Sequence, residues 1–143
     1  MTNIYDVDIN KLIEAVAKEL EKIPELNPPA WSKIVKTGRH KERAPQRGDW
    51  WHIRSAAVLR SIYKLGPIGT EKLRTKYGGK QRRGHKPARF AKGSGSIIRK
   101  VLQQLEKAEL IKQTEKGVHK GRVITKKGQS LLDKTALSIL KKK

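Results

Sequence analysis

Apolar residues recur at helical spacing along much of this chain. Over residues 9–23, Ile9, Leu12, Ile13, Val16, Leu20 and Ile23 share one face, and Lys11, Glu14, Lys18, Glu21 and Lys22 take the other. Asp6 and Asp8 precede this predicted helix, where negative charge suits the helix dipole, and Pro24 stops it. Pro28-Pro29 marks a rigid turn, and residues 30–35 make a short helix with Trp31 and Ile34 pointing inward. Asp49 is placed to cap the most apolar stretch, residues 50–65. Trp51, Val58, Ile62 and Leu65 lie on one side of it, with Ile53, Ala56, Ala57 and Tyr63 elsewhere. A helix that is apolar most of the way round is surrounded by others. Two narrow polar strips interrupt it, Arg54 with Ser61 and Arg60 with Lys64.

Gly66-Pro67 ends that helix, and Thr70 is placed to cap a short one over residues 71–77, stopped by Gly78-Gly79. Residues 78–93 then lose all apolar period. Gly78, Gly79, Gly84, Pro87 and Gly93 punctuate them, which reads as a flexible basic loop that orders only on binding. The pattern next turns abruptly helical. Ile97, Ile98, Val101, Leu102, Leu105 and Ala108 fall within about 140° of arc at 100° per residue. Arg99, Lys100, Gln103, Gln104, Glu106 and Lys107 fill the other side, and Ser94 or Ser96 can cap the first turn.

Residues 110–115 and 122–125 read as two short strands of a hairpin turning at Lys116-Gly117 and Gly121. Thr125 caps a last helix through residue 140, packed through Leu131, Leu132, Thr135 and Ile139. The tail Lys141, Lys142 and Lys143 reads as frayed and available to phosphates. The element order predicts one mainly α domain over residues 1–143. Its core, residues 49–140, is a winged-helix-like helix-turn-helix unit with a small β-hairpin, preceded by an extra N-terminal amphipathic helix and Pro-rich turn over residues 1–30.

Charge changes the picture from fold to partner. The 143 residues carry a formal net charge of +21, and it is unevenly spread. Residues 1–30 hold three Lys against six acids, net −3, and residues 31–143 hold 31 basic against seven acidic, net +24. From Lys72 to Leu105 there are eleven Lys or Arg and no Asp or Glu. Charge of this size speaks to a polyanionic partner, not to fold. The 78–93 loop supplies Lys80, Gln81, Arg82, Arg83, Lys86, Arg89 and Lys92 as candidate phosphate contacts. A second polar loop, residues 37–48, adds Arg39, Lys41, Arg43 and Arg47, either as a solvated run or as further phosphate contacts. Arg54 and Arg60 either meet the same partner or pair with N-terminal glutamates.

Enzyme chemistry finds no site. His40, His52, His85 and His119 are scattered without metal-ligand spacing, and His52 reads as structural. The glycines of GGKQRRG lack a Walker ending, and the basic loop contains no carboxylate for general-base work. There is no cysteine, no run near the roughly 18 apolar residues of a membrane span, and no signal-peptide h-region. The expectation is a soluble intracellular chain, monomeric when isolated, with no cofactor, no metal, no membrane and no small-molecule substrate.

The segments PPAW, KERAP, DWWHIRSAAVLRSIYKLGPIG, YGGKQRRGHKPARFAKGSGSIIRKVLQQLE and ITKKGQSLLDK resemble the archaeal and eukaryotic small-subunit ribosomal protein S19e family over about residues 5–140. The archaeal form is the nearer look-alike. The resemblance implies a winged-helix-like domain in the head of the small ribosomal subunit, contacting the 3′ domain of its rRNA beside neighbouring head proteins, in the cytoplasm. In eukaryotic members it also implies a need for the protein in late small-subunit maturation. Matching positions put RNA contacts at Arg54, Arg60, Lys80, Arg82, Arg83, Arg89, Arg99 and Lys100, and structural roles at Trp51, Ala56 and Leu59. The alternative is a winged-helix transcription regulator reading DNA with Arg99, Lys100, Gln103 and Gln104. A pure protein-interaction scaffold leaves the net +24 unexplained.

Overall fold

The computed structural model describes residues 2–115 and 117–141. Five helices and two antiparallel hairpins follow in order: α1 (Ile9–Glu21), α2 (Trp50–Leu65), α3 (Thr70–Lys76), β1 (Gly79–Arg83), β2 (Lys86–Ala91), α4 (Gly95–Lys107), β3 (Ile111–Thr114), β4 (Gly121–Ile124) and α5 (Lys126–Lys141). Single 3-10 turns at Pro24–Leu26 and Ala30–Lys33 bridge α1 to the loop before α2. The mainly α, winged-helix-like organisation read from the sequence is present. Ile68 adds to it a one-residue third strand, exchanging both backbone hydrogen bonds with Arg122 at 3.2 and 3.0 Å.

The core is one cluster to which every helix contributes. Leu12, Val16 and Leu20 of α1 pack on α2, whose Trp51, Ala56, Val58, Leu59 and Ile62 are at most 1% exposed. Trp51, Ala56 and Leu59 thus sit where structural residues belong. Burying side chains of this size contributes roughly 1.5–3 kcal/mol each. Trp51 meets Trp31 and Trp50 edge to face, with ring centroids 5.6 and 5.4 Å apart.

Helix ends follow their local chemistry. The Asp8 carboxylate accepts from the Lys11 amide and caps α1, and the Ser94 hydroxyl accepts from the Ile97 amide and caps α4. The Thr125 hydroxyl accepts from the Gly128 amide at the start of α5. At the end of α4, Glu109 adopts φ 60°, and the Leu110 amide reaches back to the Leu105 carbonyl at 3.0 Å. This is a Schellman turn made without its usual glycine. Gly128 has no room for a side chain, since a Cβ there would meet the Leu110 carbonyl.

Several expectations are corrected. Asp49 precedes α2 without capping it, because Arg47 holds its carboxylate through two bonds at 3.1 Å. Thr70 lies inside α3, and Gly69 takes the cap position. Ile34 is 83% exposed instead of pointing inward, because the 3-10 turn ends at Lys33 and rotates it outward. Ile9 and Leu65, at opposite ends of α1 and α2, are also exposed. Gln104, expected on the outer face of α4, is 7% exposed and belongs to the core. Its amide oxygen accepts from Trp51 Nε1 at 2.9 Å, and its amide nitrogen donates to the Asn27 carbonyl at 2.7 Å. Of the tail, Lys141 closes α5, and Lys142 and Lys143 lie outside the described residues, as does Lys116 in the wing turn.

The largest correction concerns residues 78–93. They are a β-hairpin, not a loop. Gly79, Lys80 and Gln81 pair with Ala91, Phe90 and Arg89, and Arg83 pairs with Lys86 across the two-residue turn Gly84-His85. Gly84 carries the positive φ (68°) that a Gly-X turn requires. The register skips between Gln81 and Arg83, so Pro87 and Ala88 oppose Arg82 alone. A bulge of this kind accommodates a proline that has no N–H to offer the ladder.

Replacing Gln104 with Leu leaves the Trp51 indole N–H buried without an acceptor. The expected cost is about 1–3 kcal/mol by urea unfolding, and replacing the exposed neighbour Gln103 with Leu should stay within about 0.5 kcal/mol.

Candidate nucleic-acid interface

The hairpin is mounted on the body at its two roots. The Gly93 amide donates to the Arg74 carbonyl at 2.9 Å, and Arg74 Nε donates back to the Gly93 carbonyl at 3.1 Å. Beyond the hairpin the Ser94 amide donates to the Thr37 carbonyl at 3.1 Å, and Gly38 forms a bridge with Gly93. The approach is too close for a side chain, because a Cβ on Gly93 would lie 2.9 Å from the Tyr77 carbonyl oxygen. The two polar loops of the sequence, residues 37–48 and 78–93, are therefore brought side by side.

His40 is the wedge between them. A Cβ on Gly38 would fall 2.7 Å from the His40 ring, and one on Gly79 would fall 2.9 Å from its other edge. Burial, with Lys41 and Arg54 nearby, lowers the His40 pKa below its ordinary 6.5. Around it, Arg39 Nε donates to Gln81 Oε1 at 3.3 Å, and Arg82 lies 3.9 Å from Glu42. Lys80, Arg82, Lys86 and Arg89 are exposed on the ribbon. Arg83 is tied down, donating through Nε to the Pro87 carbonyl at 2.9 Å.

A second basic group gathers where Tyr77 roots the hairpin against α2. The Arg54 guanidinium lies 4.4 Å from the centroid of the Tyr77 ring, and burial lowers its pKa. Among the described residues no glutamate pairs with that charge; an aromatic face meets it. Ser61, one turn beyond Ala57, shares its hydroxyl with Tyr77 Oη at 3.0 Å and with Lys76 Nζ at 2.8 Å. Burial, then Arg60 and Lys64, pull the Lys76 pKa down. Arg60 is half-buried, and its Nε finds no partner among the described residues.

The remaining candidates lie at the start of α4 and just before it. Lys92 is held by Glu71 at 2.9 Å, and Arg74 takes the other oxygen of the same carboxylate at 2.9 Å. Lys92, then Arg74, hold the Glu71 carboxyl below its usual range. Arg99 reaches Ser96 Oγ at 3.4 Å and crosses the space beside Gly95 toward Arg74. Lys100 is half-buried on the same helix. Arg39, one of the further phosphate contacts that the 37–48 loop offers, joins this surface, as do Lys64 and Lys76, which sequence reasoning does not place among the RNA contacts. The signal for Arg39 is the pair of glycines, Gly38 and Gly93, that lets the two loops touch, and for Lys64 it is the polar strip shared with Arg60. Among the described residues no three His, Cys, Asp or Glu come together as a metal-holding group, and no helix is long and apolar enough to cross a membrane.

The His40 wedge makes the hairpin mount sensitive to pH. The unfolded chain takes up a proton near pH 6.5 and the folded chain resists it, so His40's full contribution holds above that pH and is lost as pH falls below it. Amide hydrogen exchange across β1 and β2 is expected to speed up between about pH 7.5 and about pH 5, beyond the intrinsic pH effect, and His40→Gln should flatten that response.

Residues 3–142 match the family model described as Ribosomal protein S19e. The chain is 49% identical over 142 residues to the small ribosomal subunit protein eS19 of Aeropyrum pernix, covering 98% of this chain and 91% of the relative. It is 42% identical over 135 residues to eS19G of Ascaris suum, covering 94% and 90%. It is also 42% identical over 138 residues to eS19A of Schizosaccharomyces pombe, covering 96% and 94%. The higher identity to the archaeal relative agrees with the archaeal character of the sequence. A match that spans the hairpin, the central helix and the wing alike leaves one conclusion: the chain belongs to the ribosomal protein S19e family, as an archaeal member and a structural constituent, not an enzyme.

Proposed function

We propose that this protein is a structural constituent of the small ribosomal subunit that binds the 3′ (head) domain of its rRNA through phosphate contacts, and so works in the cytoplasm on the ribosome. The observation that carries the reading is the hairpin β1–β2. It presents Lys80, Arg82, Lys86 and Arg89 to solvent on an ordered two-stranded ribbon, beside Arg39, Lys41 and Arg43 of the loop before α2. Glu42 is the one carboxylate in an ion pair with the ribbon's exposed arginines among the described residues, at the long distance of 3.9 Å.

A folded ribbon changes the energetics of that contact. A disordered arm would lose backbone freedom on binding, roughly 1–2 kcal/mol per residue ordered. The paired strands have already met that cost, so more of each phosphate contact is available as affinity. Duplex RNA is held through phosphates and 2′-hydroxyls, not by a helix in its narrow major groove, and a projecting basic ribbon suits that geometry. The surface around Arg54, Arg60, Lys64 and Lys76 would meet a second stretch of backbone, with Arg99 and Lys100 at the start of α4. Lys92 has two donors left after Glu71. Phe90, 55% exposed on the ribbon, is placed to stack on a base.

The DNA-reading alternative loses a reader. Gln104, one of the four side chains it would place in a major groove, is sealed against Trp51. Arg99 is drawn back over Gly95.

Arg82→Ala with Arg89→Ala removes two exposed cations without touching the hydrogen bond that Arg83 makes inside the hairpin. The salt dependence of binding to a transcript of the rRNA 3′ domain should flatten by roughly 0.7–0.9 in slope for each phosphate no longer neutralised, with the fold unchanged by circular dichroism. An unchanged slope in a folded double variant would remove the hairpin from the interface.

A further inference from the structure

Away from the basic ribbon, a groove of about 810 Å³ runs between α1 and α5, and none of the candidate RNA contacts lines it. Its floor is apolar, from Ala15, Ile23, Leu110 and Leu131. Its walls carry charge. Glu14 and Glu19 line it, but both carboxylates are engaged by cations outside the groove, Glu14 by Arg47 at 3.2 Å and Glu19 by Lys22 at 2.8 Å. Lys127 is engaged too, donating to the Ala108 carbonyl at 3.2 Å beside Glu109. Lys11, Lys18 and Lys134 also line the groove and have no carboxylate partner among the described residues.

The first thirty residues are acidic by count, yet the groove they help to build is left electropositive. An apolar floor under unpaired lysines does not suit a phosphodiester, which has nothing to bury there. It suits a peptide whose apolar side chains fill the floor while its carboxylates meet the walls. We propose that this groove receives an acidic segment with apolar anchors from a neighbouring protein of the small subunit, which rests on the reading of this chain as a subunit constituent. The two binding surfaces are then divided by chemistry: the ribbon takes RNA phosphates, and the α1–α5 groove takes protein carboxylates.

The chain has no cysteine, so a single introduced thiol can carry a photo-crosslinker to one place. Ser130→Cys puts it in the groove and Arg82→Cys puts it on the ribbon, each borne by benzophenone-labelled protein in purified small subunits. The groove probe is expected to join a protein segment rich in Asp or Glu and apolar residues, and the ribbon probe to join rRNA. Adding Lys18→Glu and Lys134→Glu to both single-thiol variants should cut the groove adduct yield about tenfold or more and leave the ribbon adduct unchanged. An rRNA adduct, a basic segment or no adduct from the groove probe overturns the proposal, whatever the ribbon probe does. A ribbon probe that joins no rRNA counts against the rRNA reading instead.

Discussion

The hydrogen bond from the Trp51 indole to Gln104 is the constraint on which the rest of the structure depends. A buried indole must donate to something, and in this core the acceptor is a side-chain amide, itself buried, whose nitrogen is satisfied by the Asn27 carbonyl. One polar chain therefore fixes three elements at once: α2 through Trp51, α4 through Gln104, and the Pro-rich link from α1 through Asn27. Hydrophobic contact alone would allow α4 to turn or slide on α2. A directional bond in a dry core permits one arrangement. That arrangement sets where α4 begins, hence where Gly93 and Ser94 must lie, and so where the hairpin emerges.

From that anchor the functional surface is assembled by close backbone approach. Gly93 against Tyr77, Gly38 against Gly93, and the His40 ring between Gly38 and Gly79 bring two basic loops together that would repel if left in solution. Glu71, held between Lys92 and Arg74, supplies compensating negative charge at the hairpin's root. Of the cations that remain at the exposed end, Arg82 alone meets a carboxylate among the described residues, Glu42 at 3.9 Å. A surface of one sign held by a rigid mount is organised for a polyanion.

Much of this is legible in the residues. The helices α1, α2, α4 and α5 announce themselves by apolar period, and the wing by two short runs around Gly117 and Gly121. The family's hallmark segments lead to the ribosome without any coordinates. What stays hidden is hidden for physical reasons. One face of β1 is half-buried, but the residues on it, Gly79, Gln81 and Arg83, are not apolar, so no alternation of apolar and polar residues marks the ribbon as β. The remaining sign is Gly84-His85 as a two-residue turn, which reads equally as loop punctuation. Gln104 lies only about 20° beyond the apolar arc of α4 at 100° per residue, and its amide makes it look like surface. Ile34 shows the opposite failure, an apolar residue that a short 3-10 turn leaves in solvent. Arg54 reads in the sequence as an ion-pair partner for a glutamate as readily as an RNA contact, and it rests instead on a tyrosine ring.

Sedimentation of the tagged protein in native lysate, on sucrose gradients at low and then high salt, tests the central claim most directly. Comigration with the small subunit at low salt and release at high salt is the result expected of a ribosomal constituent held by phosphate contacts. A protein that stays at the top of the gradient at low salt would contradict it.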